Sequence, residues 1–287
     1  VRNLKDKPAM IVGGGSGHEP MFGYFVGENL ADASVAGSVF TSPDPGSILQ
    51  AAQAVDRGKG ILFVYGNYSG DNMNFDIAGE MLGDMDIPVK TVRVWDDVAS
   101  ASKENYLDRR GIAGNVLVIK IAGAATASGL DLEEAYRVAC KARDNVYSIG
   151  VGLSGATIPG EDTPIFTLAD DEMEYGLGIH GVKLQTADEI VEELVEKILE
   201  DSGIQAGDTV CTLVNGLGAT PLLELYVMNR KLARLLQEKG IQVHDMDVGT
   251  YVTSLEMAGA SVTILKLDDE LKNYYDMPCR SPYYKKG

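Results

Sequence analysis

Short apolar runs alternate along the first half of the chain with longer stretches in which apolar residues recur every three or four positions. Ala9–Val12, Gly60–Tyr65, Val89–Val94, Val116–Ile119 and Ser148–Leu153 have the length and β-branched content expected of strands. Between them, Pro45–Asp56, Asn74–Met85 and Leu132–Asn145 read as helices. The alternation predicts an α/β protein: two α/β domains with mixed, largely parallel sheets flanked by helices. A Gly-, Pro- and Thr-rich stretch at Gly155–Pro164 predicts the boundary, with residues 1–155 forming one domain and residues 156–287 the other. In the second, the pattern predicts a helix over Ala187–Glu200, a strand over Thr209–Val214 and a helix over Pro221–Lys239. Strands are expected near Ile241–Val248 and Ser261–Lys266. No internal repeat or low-complexity segment interrupts this order.

Composition narrows the classes. A chain of 287 residues with 45% hydrophobic content can bury one or two ordinary cores. The 25 basic and 42 acidic residues leave a formal charge of −17, which disfavours direct binding to nucleic acid or to an anionic membrane. No apolar stretch approaches the roughly 20 residues needed to span a bilayer. The opening Val-Arg-Asn-Leu-Lys lacks a signal peptide's apolar core, so the expected location is the cytoplasm. Cys140, Cys211 and Cys279 are far apart with no C-x-x-C pair, and read as buried thiols rather than a disulfide framework or zinc site.

Candidate chemistry sits in three polar, glycine-bearing segments. Gly13–Pro20, Gly-Gly-Gly-Ser-Gly-His-Glu-Pro, follows the first apolar run and presents His18 on a bare backbone loop. A phosphate-binding P-loop would place Lys and Ser/Thr after its last glycine; here His18, Glu19 and Pro20 stand there, and a carboxylate would repel a triphosphate. The second segment, Gly66–Asp71, also follows a strand. Its Asp71 suits two roles that need not exclude each other, helix N-cap and general base. Both loops fall where open α/β sheets bind ligands, at the carboxyl ends of strands. The third segment, Glu174–Gly181, puts His180 between glycine-rich neighbours at an expected strand end. His244 lacks glycine neighbours and reads as an ordinary strand or surface residue. Two distant histidines do not make a metal site.

Taken together, these segments resemble the substrate-binding subunit of dihydroxyacetone kinase almost end to end. The likeness includes Gly13–Pro20, Val39-Phe40-Thr41-Ser42-Pro43, Asn67-Tyr68-Ser69-Gly70-Asp71 with Asn74-Phe75, and Asp96-Asp97-Val98-Ala99. It continues through Arg109-Arg110-Gly111-Ile112-Ala113-Gly114, Gly176–Gly181, Asn215-Gly216-Leu217-Gly218-Ala219-Thr220-Pro221 and Thr253-Ser254-Leu255. The resemblance implies that His180 forms a covalent hemiaminal with the carbonyl carbon of dihydroxyacetone. It also implies that His18 and Asp71 lie near the substrate hydroxyls as proton acceptors, with hydrogen bonds from the amides around Gly15 and Ser16. No cofactor is expected on this chain; ADP or ATP and magnesium belong to a separate nucleotide-binding kinase subunit. A phosphocarrier recharges that partner from phosphoenolpyruvate, and the substrate-binding subunit is expected to be a homodimer.

Two positions depart from the pattern. Gly66 stands where related subunits carry a lysine beside the substrate, and Gly181 passes directly to Val182-Lys183-Leu184-Gln185 without an expected segment containing Glu-Pro-Gly. Gly66 removes a cation and makes room. It keeps two alternatives open: a paralogue that senses dihydroxyacetone and activates a transcription factor, and a kinase for a tetrulose such as erythrulose.

Overall fold

The computed structural model describes residues 6–176 and 179–287, without the side chains of residues 179–181. The chain divides into two compact units, and both are discontinuous. The first comprises Val1–Val94, Asn115–Asp144 and Asp269–Gly287; the second comprises Trp95–Gly114 and Asn145–Asp268. This replaces the expected division at residues 155 and 156. The Gly/Pro-rich stretch follows a strand whose sheet neighbours all come later in the chain, so strand pairing keeps both of its ends in the second unit.

The first unit holds a four-stranded sheet among the described residues. Its strands β1 (Ala9–Ser16), β2 (Ala33–Val39), β3 (Ile61–Gly66) and β4 (Val89–Val94) lie in the order β2-β1-β3-β4, parallel throughout. Helix α1 (Pro45–Val55) connects β2 to β3 across β1, and α2 (Ser69–Gly83) connects β3 to its neighbour β4, as parallel strands of one sheet require. Asp44 caps α1 by accepting from Ser47 N at 2.9 Å. Ile11, Phe63, Tyr65 and Phe75 are fully buried in one core, with Phe75 stacked on Tyr65 at 4.3 Å between ring centroids.

Helices α3 (Gly114–Ala127) and α4 (Leu132–Arg143) follow. The expected strand at Val116–Ile119 is therefore a helix. Val116, Leu117, Val118, Ile119, Ile121, Ala122, Ala124 and Ala125 are all fully buried. A helix surrounded by core has no polar face and loses the period that identifies an exposed one.

In the second unit, β5 (Val146–Gly152) is followed by β6 (Glu172–Tyr175), β7 (Ile179–Lys183), α5 (Ala187–Ser202), β8 (Thr209–Gly216), α6 (Leu222–Glu238), β9 (Gln242–Gly249) and β10 (Gly259–Leu267). The sheet order is β7-β6-β5-β10-β8-β9. Largely parallel pairing holds for the first sheet only: here β8–β9 is parallel and every other pairing is antiparallel. The cause lies in the connections. A hairpin joins β6 to β7, and residues 250–258 return from β9 to β10 without the helix that a parallel crossover needs. Helix α5 buries Ile190, Val191, Leu194, Val195 and Ile198, and α6 buries Leu225, Met228, Leu232 and Leu236, all in this unit's core.

The chain returns to the first unit with α7 (Asp269–Asp276) and a ribbon of β11 (Cys279–Arg280) and β12 (Lys285–Lys286). Fully buried Lys120 of α3 donates to the carbonyls of Tyr274 and Met277 at 3.2 and 2.7 Å, placing its charge at the negative end of α7. No described helix is long and apolar enough to cross a membrane.

The glycines of β1 are required by close approach. A Cβ on Gly13 would lie 2.6 Å from the Val35 carbonyl oxygen and 2.9 Å from the Phe75 ring; one on Gly14 would lie 2.5 Å from the Phe22 ring. Gly79, inside α2, has only a Val89 methyl at 3.9 Å. Gly13→Ala is expected to destabilise by about 1–3 kcal/mol through overpacking. Gly79→Ala is expected to stabilise by up to about 1 kcal/mol through helix propensity. Denaturant midpoints of the two variants check the opposite signs.

Candidate active site

The site begins where β1 outruns β3. Residues Ala9–Val12 pair with β3, and Ile11 and Val12 pair with β2 as well, whereas Gly13, Gly14 and Ser16 continue only against β2, with a register shift between Gly14 and Ser16. The run expected to be loop from Gly13 is thus strand up to Ser16. Ser16 Oγ donates to Gly37 O at 2.6 Å, and Ser16 O accepts from Phe40 N at 2.9 Å, tying Ser16 to the end of β2. A Cβ on Gly15 would lie 2.8 Å from Thr41 N. Gly17 turns the chain at a φ of 98°, and its N–H donates to the Glu19 carboxylate at 2.8 Å. An amide that a phosphate would use is therefore engaged by a carboxylate. The His18 ring stacks on Phe40, centroids 5.1 Å apart and planes at 28°.

Asp71 approaches from the neighbouring strand. Gly66 closes β3 opposite Val94, Asn67 N donates to Val94 O at 2.8 Å, and α2 starts at Ser69. Its N-cap is Tyr68, which makes no side-chain capping bond, and Asp71 lies in the first turn. The capping role that the sequence left open is thus not the one Asp71 fills. Asn74 Nδ2 donates to Pro43 O at 2.9 Å, joining α2 to the loop that carries Ser42. Asp71 is half-buried, and its buried Oδ1 has no hydrogen-bond partner. Burial raises the pKa of the Asp71 carboxyl above its ordinary value, against the opposing pull of the Ser42 hydroxyl and of His18. Gly15, Ser16, His18, Gly66 and Asp71 thus gather at the carboxyl ends of β1 and β3 in the first unit. Phe40 and Ser42 complete the cluster. The sequence singled out neither, although both lie in the Val39–Pro43 segment.

His180 belongs to the second unit, where it is the second residue of β7, at the start of that strand; its side chain lies outside the described residues. Its hairpin is anchored at Gly176. The Gly176 N–H donates to Gly150 O at 2.8 Å, and its carbonyl accepts from Arg110 Nη2 at 3.0 Å. Arg110 is held in turn by Asp97 Oδ2, at 2.8 Å from Nη2 and 3.2 Å from Nε. Next to it, buried Asp96 accepts from Ile112 N and Gly114 N at 2.8 and 2.7 Å, and burial pushes its carboxyl up to about 6. Among the described residues, no cluster of three or more His, Cys, Asp or Glu could hold a metal ion. His244 lies in β9.

Residues 1–283 match the family model described as the Dak1 domain. The chain is 45% identical over 292 residues to the dihydroxyacetone-binding subunit DhaK of PTS-dependent dihydroxyacetone kinase 2 from Listeria innocua serovar 6a, covering 99% of this chain and 88% of that one. Among solved structures, the dihydroxyacetone kinase operon co-activator Dha-DhaQ superposes with a TM-score of 0.89 at 33% identity, over 96% of this chain and 87% of that one. The native dihydroxyacetone kinase of C. freundii superposes with a TM-score of 0.89 at 31% identity, over 99% of this chain and 53% of that one.

The buried oxygen of Asp71 has a consequence for stability. Because the folded-state pKa is raised, the folded protein holds the proton more tightly than the unfolded chain does, and stability falls as pH rises through that interval. Asp71→Asn is expected to raise the melting midpoint at pH 7. The gain should shrink as the pH is lowered through the raised pKa and vanish below the ordinary carboxylate value of about 3.9. Melting curves of both proteins across that range check it.

Proposed function

We propose a function on the ground that the chain belongs to the Dak1 domain family: it is the dihydroxyacetone-binding subunit of a phosphoenolpyruvate-dependent dihydroxyacetone kinase. It holds the phosphoryl acceptor. A nucleotide-bearing partner, carrying ADP or ATP and magnesium, delivers the phosphoryl group and is recharged through a phosphocarrier. The subunit works as a homodimer in the cytoplasm. The observation that carries the reading is Asp71 beside His18 at the strand ends, with one carboxylate oxygen buried and unpartnered.

Each residue has a role that its chemistry suits. The unprotonated ring nitrogen of His180 adds to the ketose carbonyl carbon as the C=O π bond opens onto oxygen; the other ring nitrogen gives up its proton and the oxygen takes one up, leaving the hydroxyl of a neutral hemiaminal. Reversible attachment fixes a small triose in one orientation and rejects glycerol, which has no carbonyl. Asp71 accepts the proton of the substrate hydroxyl as its oxygen attacks phosphorus, with His18 assisting. A raised pKa moves Asp71 toward the value a general base needs near neutrality. Because the Ser16 hydroxyl is engaged by Gly37, the backbone around Gly15 and Ser16 supplies the remaining hydrogen bonds. Phosphoryl transfer is mostly positioning and charge neutralisation, so acceptor and base on one chain and nucleotide on another make a working division.

A second reading, a ligand-sensing paralogue, is favoured by Gly66, which supplies no cation where kinase subunits have lysine, and by the likeness to the operon co-activator.

Ketose labelled with carbon-13 at the carbonyl tests both readings by NMR. The bound carbonyl resonance should give way to that of a tetrahedral carbon, and His180→Ala should abolish the change. With a nucleotide-loaded partner, Asp71→Asn should keep the adduct and lose about 10²-fold or more of turnover. Adduct without turnover in the wild type would favour the sensor. Higher kcat/KM on erythrulose than on dihydroxyacetone would change the substrate, and absence of any adduct would remove His180 from its role.

A further inference from the structure

We propose that Arg110 is a positioning residue for His180, acting through the carbonyl of Gly176; the inference rests on the hemiaminal role of His180. The guanidinium is fixed before it reaches the hairpin. Asp97, whose side chain is only 2% exposed, takes Nη2 and Nε of Arg110 on one oxygen and accepts from Ala99 N at 3.1 Å on the other. The two backbones are tied as well: Asp97 N donates to Arg110 O at 3.1 Å, and Arg110 N donates to Ser100 Oγ at 3.0 Å. The pair is referred to the sheet through β5, because Val98 N donates to Ser148 O and Ser148 N to Asp96 O, at 2.9 and 2.7 Å.

From this base Nη2 reaches Gly176 O at 3.0 Å. Gly176 has a φ of 64°, and a Cβ there would lie 2.5 Å from the Ala99 methyl, so the turn is seated directly on the Asp97–Ala99 segment. Its amide is taken by β5 and its carbonyl by Arg110, which leaves the departure point of the hairpin little freedom. Beyond the turn, Ile179 pairs with Tyr175 and His180 follows. Attack on a carbonyl carbon depends steeply on approach distance and angle, so a small shift of β7 weakens adduct formation without touching the groups that move the hydroxyl proton. Lysine cannot replace the planar fork: one ammonium on a flexible stem does not keep both Asp97 contacts while reaching Gly176.

Arg110→Lys, which retains the charge opposite Asp97, and Arg110→Met are compared with the wild-type full-length chain. Hydrogen exchange followed by mass spectrometry should show faster exchange in the peptide spanning residues 172–184, with β8 and β10 unchanged. Titration with the labelled ketose should show adduct formation weakened by about tenfold. With the partner subunit, KM should rise while kcat at saturating ketose stays near the wild-type value. Wild-type exchange and affinity in Arg110→Lys would overturn the proposal. So would faster exchange throughout the second unit with unchanged affinity, which marks a merely structural residue. Should Arg110→Met fail to fold, Arg110→Lys alone decides. A wild type that forms no adduct overturns the role proposed for His180 and this inference with it, whereas a normal wild-type adduct that Arg110→Lys leaves unchanged overturns this inference alone.

Discussion

The space where side chains would stand on Gly13, Gly14 and Gly15 is already filled, and the first unit is arranged around that fact. The Val35 carbonyl and the Phe75 ring occupy the place beside Gly13, the Phe22 ring the place beside Gly14, and the Phe40–Thr41 backbone the place beside Gly15. Phe75 lies one helical turn beyond Asp71 on α2, so its seat against bare β1 helps fix how near Asp71 comes to the strand ends. The backbone pressed on Gly15 carries the ring on which His18 stacks. Three missing side chains therefore help place both His18 and Asp71, the residues proposed to handle the hydroxyl proton, and any Cβ in the run displaces a neighbour that supports them.

Four buried or part-buried aspartates differ in how their oxygens are satisfied. Asp96 takes two backbone N–H groups, Asp97 takes Arg110 and an amide, and Asp201 takes the Arg109 guanidinium in two bonds at 2.6 and 2.8 Å. These hold loops in place. Asp71 differs, since one of its buried oxygens is left without a donor. Raised pKa alone does not separate the groups, because burial raises Asp96 and Asp97 as well. The unsatisfied oxygen does separate them: it costs stability, and it is the atom proposed to meet the substrate hydroxyl.

Most regular elements were legible from hydrophobic period, because their faces differ. Helix α4, with a buried stripe of Leu132, Ala135, Val138, Ala139 and Ala142, and strands β3 and β4 fall close to their expected places. Helix α3 was misread because it is buried all round, Lys120 included, and so shows no exposed polar face. Strand β2 was missed, since its small and partly exposed residues, Ala33-Ser34-Val35-Ala36-Gly37-Ser38-Val39, give weak β propensity at a sheet edge. The unit boundary escaped because it depends on strand pairing over long separations in sequence, and loop composition does not report that. Glycine density and two histidines drew attention to segments that the fold places at the carboxyl ends of β1 and β3 and at the start of β7. The stacking of Phe40 on His18 and the link from Arg110 to Gly176 join residues far apart in sequence, and only the folded chain brings them together.

In the proposed function this chain presents a ketose for phosphorylation by a second, nucleotide-bearing subunit. The most direct test mixes the purified chain, dihydroxyacetone and an ATP-loaded nucleotide-binding subunit known to be active with its own acceptor subunit, and follows dihydroxyacetone phosphate over time. Product is expected only when both proteins are present, and none when glycerol replaces the ketose. Absence of product with a partner matched to this chain, alongside normal binding of the ketose, would contradict it.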